Sequence, residues 1–131
     1  MSRRDDIISE IHHLERLIEK YRSYIKELEA GYEYMSVRKD KTENEVYEPE
    51  KAYDMTSGEL FRGKLETEAE QYQEQIIQQI LVAQDDTSKF LSAIQRAIEK
   101  LYELIEECER EISSLEDELS ALSEVDSNGV M

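Results

Sequence analysis

Apolar or aromatic side chains stand at Ile7, Ile11, Leu14, Ile18, Tyr21, Ile25, Leu28, Tyr32 and Met35, at spacings of 4, 3, 4, 3, 4, 3, 4 and 3. A stripe repeating every 3.5 residues stays on one side of a helix, and it is useful only when another helix lies along it. The positions between hold Glu10, Glu15, Arg16, Glu19, Lys20, Arg22, Lys26 and Glu27, the charged exterior such a helix turns to water. The repeat predicts a helix over about residues 5–40.

Residues 41–57 lose the repeat, and Pro49 biases Glu48 away from helical dihedrals, so this stretch is expected to connect two helices; at about 17 residues it is long for that, which leaves room for part of it to extend the first helix or to form a short turn of its own. The pattern resumes after Ser57-Gly58 with Phe61, Leu65, Ala69, Tyr72, Ile76, Ile80, Ala83, Phe90, Ile94, Ile98, Leu101, Ile105, Cys108, Ile112, Leu115, Leu119 and Leu122. Thr56 or Ser57 offers a cap, and a second helix is expected over about 58–123. The one candidate break, Asp85-Asp86-Thr87-Ser88, costs about 2 kcal/mol in summed helix propensity, which packing overrides. Residues 124–131 carry Gly129 and no stripe, and read as a flexible tail. The expected fold is all-α: one domain over 1–123, an elongated, coiled-coil-like antiparallel helical hairpin with a long second helix.

A first helix of 36 residues rises about 54 Å and an unbroken second helix of 65 residues about 97 Å, so the two do not match. On this reading residues 96–122 overhang while still carrying the apolar line Ile98, Leu101, Ile105, Cys108, Ile112, Leu115, Leu119 and Leu122. Leaving that line in water forfeits about 10 kcal/mol, so something must cover it. Another helical chain along Ile98, Leu101, Ile105, Ile112, Leu115, Leu119 and Leu122 would do so. A bend at Asp85–Ser88 that folds the last helix back into a three-helix bundle would serve as well, and periodicity does not choose between them.

Charge narrows the partner. The chain of 131 residues has 32 Asp plus Glu against 16 Lys plus Arg, a net charge of −16 that repels phosphate backbones and anionic lipid heads, so no nucleic acid is expected. The excess is concentrated after residue 64, where 17 acidic side chains meet 4 basic ones, so a basic partner surface is expected there. No apolar run approaches the roughly 20 residues of a membrane span, and the opening residues lead into an amphipathic stretch instead of a secretory leader. Cys108, the single thiol, has no internal disulfide partner, which fits the reducing cytoplasm.

No catalytic, metal or cofactor site is expected. His12 and His13 are adjacent and point about 100° apart on a helix, so they cannot chelate together. The acidic cluster Glu106, Glu107, Glu109 and Glu111 reads as a solvated face, and Cys108 falls on the stripe as a buried, inert thiol. Eight tyrosines are more informative: Tyr21, Tyr32 and Tyr72 fit the stripe, while Tyr24, Tyr34, Tyr47, Tyr53 and Tyr102 flank it or lie in the connection, as edge packing or as interface anchors.

Leu60-Phe61-Arg62-Gly63-Lys64, just after the connection, forms an aromatic-x-Gly element. In a helical hairpin this arrangement resembles the WXG (ESAT-like) superfamily of type VII secretion proteins, with Phe61 and Gly63 at the aromatic and glycine positions and Phe in place of the usual Trp. The longer chain and long acidic second helix look most like the small helical partner proteins of LXG toxins. The resemblance implies a non-catalytic adaptor or chaperone that binds the helical N-terminal domain of an LXG toxin, with or without another small helical protein, and that acts in the cytoplasm or is itself exported. It also makes Tyr102 and Glu106, a Tyr-x-x-x-Glu pattern, an export-signal candidate, although about 17 more helical residues follow it. The alternative from the residues alone is a homodimeric cytoplasmic coiled-coil scaffold with no secretion role.

Overall fold

The computed structural model describes residues 2–52 and 64–129, and no strand occurs among them. Helix α1 (Arg3–Lys41) passes into a six-residue π-helical turn, Thr42–Tyr47, and then into the short α2 (Glu48–Ala52); α3 runs from Lys64 to Gly129. The fold is the expected all-α helical hairpin. Ser2 sets the start two residues earlier than the periodicity suggests: its Oγ accepts the Asp5 backbone N–H at 3.2 Å, satisfying one of the unpaired donors of the first turn. Asp5 and Asp6 in the first turn and Arg38, Lys39 and Lys41 in the last complement the helix dipole.

The expected connection over 41–57 is helical as far as Ala52. Pro49 does not break the chain because the ladder has already widened: Glu48 donates its backbone N–H five residues back, to the Glu43 carbonyl. A π-turn gives the proline ring room where an α-helical ladder would set the carbonyl four residues back against it. Thr56, Ser57 and Gly58, the expected start of the second helix, lie outside the described residues. At the other end, α3 continues to Gly129, through most of the expected tail. It is also unbroken at Asp85–Ser88, where Thr87 Oγ1 donates to the Ala83 carbonyl at 2.9 Å and Lys89 pairs with Asp85 at 3.1 Å. The bend that would have made a third helix is therefore not taken.

Packing divides the chain into two units, each an antiparallel pairing of α3 with the first arm. The terminal unit comprises Met1–Glu29 and Arg96–Met131. Ile7, Ile11, Leu14, Ile18 and Ile25 from α1 and Ile105, Cys108 and Leu115 from α3 are its buried core. Leu17, Tyr21, Ile98, Leu101, Ile112, Leu119 and Leu122 pack around them. Two cross-helix ion pairs fix the register: Arg3 makes a bidentate bond to Glu118 at 3.0 and 3.1 Å, and Arg22 meets Glu109 at 3.6 Å.

The central unit is Ala30–Gln95. Its described cross-helix hydrogen bonds come from three glutamines. Gln73 Nε2 donates to the Glu50 carbonyl at 2.8 Å, and Gln95 Nε2 to the Tyr32 hydroxyl at 3.2 Å. Gln84 Nε2 donates to the Lys39 carbonyl at 3.0 Å and to Glu43 Oε2 at 3.3 Å, bracing the entry to the π-turn. The buried apolar side chains described for this unit are Ala69, Leu91 and Ile94, far fewer than in the terminal unit.

Candidate protein-binding surface

The strip foreseen as open to a partner is already covered. Ile98, Leu101, Ile105, Ile112, Leu115, Leu119 and Leu122 belong to the terminal unit's own seam, opposite Ile7–Ile25 of α1. The overhang over 96–122 does not exist, because the first arm continues helically to Ala52 and its beginning lies level with Glu118. The expectation that this segment is too long for its own chain to shield is overturned.

What remains uncovered lies elsewhere on α3. Following the seam backwards from Ile98 at the same spacing, the positions turned inward are Ile94, Leu91, Thr87, Gln84, Ile80, Ile77 and Gln73, all buried or half-buried. The apolar line read from the sequence meets this register at Ala69, Ile80 and Ile94 and sits one residue off it at Tyr72, Ile76, Ala83 and Phe90. Leu65, Tyr72, Ile76 and Phe90 are 59, 63, 42 and 55% exposed, and Ala83 is exposed between them. These five fall within about 40° of one line along the helix, beside the true seam. Leu65, Tyr72, Ile76, Ala83 and Phe90 are thus corrected from seam to edge. In the central unit Gln73, Gln84 and Thr87 share the interhelical positions with Ile77, Ile80, Leu91 and Ile94, while a row of large apolar side chains beside them is left to water. The signal for this was available, because the terminal seam continued at strict heptad spacing lands on Gln84 and Leu91, not on Ala83 and Phe90.

The row is bordered by acid. Between Leu65 and Ser88 the chain has six carboxylates and no Lys or Arg, and Glu68 and Asp86 stand exposed along the outer flank of the row. Val82, 60% exposed, widens the apolar surface on that flank. An apolar row with aromatic members and acidic margins is suited to the apolar face of a second helix with basic margins.

The remaining candidates resolve residue by residue. Phe61 and Gly63 lie outside the described residues, as does Tyr53. Tyr102 is exposed and so is Glu106, which reaches Arg110 at 4.0 Å. Glu107, Glu109 and Glu111 are exposed as expected. Tyr21 and Tyr32 are half-buried in the seam, and Tyr24 and Tyr34 are exposed. His12 is exposed and 3.8 Å from Glu15. Among the described residues no group of three or more His, Cys, Asp or Glu is placed to hold a metal ion, and no helix is long and apolar enough to cross a membrane. Cys108 is buried; desolvation, and after it the charges of Glu111, Glu107 and Glu109, push its thiol pKa upward, so it is held as the unreactive thiol. No protein family, no curated protein and no solved structure matches the chain.

Proposed function

We propose that this protein is a non-catalytic helical adaptor that binds a helical partner protein along the exposed row Leu65, Tyr72, Ile76, Ala83 and Phe90 of α3. One observation carries this reading: four large apolar side chains stand exposed in line beside a seam that Gln73, Gln84 and Thr87 share with Ile77, Ile80, Leu91 and Ile94. Apolar residues scattered singly on a surface need no explanation, but an aligned row with two aromatics is the pattern of an interface. The acidic margin asks for a partner with Lys or Arg beside its apolar face. In keeping with the WXG-like resemblance, the partner proposed is the helical N-terminal domain of an LXG toxin, in the cytoplasm before type VII secretion.

Co-expression with such a toxin domain tests the reading. A stable complex is expected, and Tyr72→Ser with Phe90→Ser should abolish it while leaving helicity by circular dichroism unchanged. Undiminished binding by that double variant would place the interface elsewhere. A tight symmetric dimer of the chain alone, unmoved by any toxin domain, would favour the scaffold alternative.

A further inference from the structure

A second apolar patch lies on the back of α1. Within the central unit the half-buried positions of α1 are Gly31, Tyr32, Met35, Ser36 and Lys39, and the bonds from Gln95 to Tyr32 and from Gln84 to Lys39 mark this side as the one facing α3. Ala30, Tyr34, Val37 and Lys41 follow at spacings of 4, 3 and 4 on the opposite side, all exposed. Tyr34 and Val37 are 59 and 49% exposed. The Arg38 guanidinium stacks on the Tyr34 ring at 4.4 Å from its centre, which holds a cation in place beside the apolar strip. Arg38 and Lys41 outnumber Glu33 at this patch, a locally basic excess in a chain of net charge −16.

The two surfaces of the central unit are complementary. One is apolar with Arg38 and Lys41 at its margin; the other is apolar with Glu68 and Asp86 at its margin and no basic residue between Leu65 and Ser88. The hairpin cannot bring its own pair together, because the α1 patch faces away from α3. We infer that the Ala30–Lys41 back of α1 docks on the α3 row of a second copy of the chain. Because the contact joins unlike faces, a pair held by one such contact keeps one face of each kind free between its two copies, so association continues past the dimer unless it closes on itself. The overall charge of −16 opposes assembly, keeping it weak and concentration-dependent. If the adaptor reading holds, this contact also masks the α3 row until a partner takes it; the contact itself does not rest on that reading.

Salt alone does not test this, since it screens both the local attraction and the general repulsion. Charge exchange does. Sedimentation of the full chain over a concentration series should show a weight-average mass that rises with concentration. Arg38→Glu with Lys41→Glu should weaken association about tenfold or more. Glu68→Lys with Asp86→Lys should weaken it as much, even though these changes take the net charge from −16 to −12 and so reduce general repulsion. Mixing the two variants should restore assembly, because each then offers the face the other lacks. A wild-type chain that stays monomeric throughout the series, or a mixture no better than either variant, overturns the proposal. Toxin-domain binding by the Arg38→Glu, Lys41→Glu variant separates the two readings: it leaves the α3 row untouched, so loss of self-association with partner binding retained counts for both, and loss of partner binding in Tyr72→Ser with Phe90→Ser concerns the adaptor reading.

Discussion

Adjacent residues Phe90 and Leu91 give opposite answers depending on which register α3 follows, and their truncation is the sharpest check on it. Leu91 is 8% exposed, and buried Leu→Ala changes cost about 2–5 kcal/mol. A single layer of two helices relaxes around a gap more easily than a deep core, which places Leu91→Ala at about 2–3 kcal/mol. Phe90 is 55% exposed, so less than half of its surface is withdrawn from water. That is on the order of 90 Å², an upper bound of about 2 kcal/mol at 25 cal/mol per Å². Shading by neighbouring turns of its own helix reduces this bound, and the better helix propensity of Ala offsets about 0.5 kcal/mol more. Phe90→Ala should then cost about 1 kcal/mol or less. Urea unfolding followed by circular dichroism, in dilute protein so that association contributes nothing, measures both. If the larger ring proves the costlier loss, the displaced register is wrong, and with it the exposed row on which the functional reading stands.

Three further outcomes follow from the packing. Gln84→Ala should destabilise by about 1–3 kcal/mol, because the Lys39 carbonyl loses its side-chain donor where the ladder widens, and amide exchange should rise around Thr42–Tyr47. Gly31→Ala should stabilise by about 0.5–1 kcal/mol on thermal or urea unfolding, since an added methyl meets nothing within 4 Å and mid-helix Gly carries an entropic cost. Glu118→Gln should remove an acid-sensitive contribution. The Arg3 hydrogen bond holds the Glu118 carboxyl below its ordinary 4.5, so the contribution is present above that value and disappears as the pH falls through the lowered one. Wild type and variant should differ slightly near neutrality and converge in strong acid, and a gap that persists there would mean the pair acts otherwise.

The heptad of α1 was legible from Ile7 to Met35 because isoleucine, leucine and tyrosine occupy nearly every inward position, and burial at Ile7, Ile11, Leu14, Ile18 and Ile25 follows it. Two misreadings arose from local signals. Pro49 looked like a break, yet a π-turn absorbed it, and the first arm gained enough length to remove the overhang. On α3 the eye follows apolar residues, whereas the helix follows its partner: Gln73, Gln84 and Thr87 take inward places because hydrogen bonds across or along the hairpin satisfy them. The exposed row was therefore visible as residues but placed in the seam instead of at its edge. Phe61 and Gly63, which carry the resemblance, lie outside the described residues, so partner identity rests on them and on the binding experiment.

Helix α3 contributes to both units, so its amide protons form a ruler for uneven cohesion along one continuous helix. Near Ile105–Leu115 opening must pull isoleucines and leucines out of a close-packed seam, whereas around Gln73–Gln84 fewer side chains are fully buried and part of the cost is glutamine bonds traded for bonds to water. The central stretch should breathe first while the far end holds the hairpin shut. A visiting helix would then meet a surface soft enough to reshape around it, anchored by a segment that does not yield.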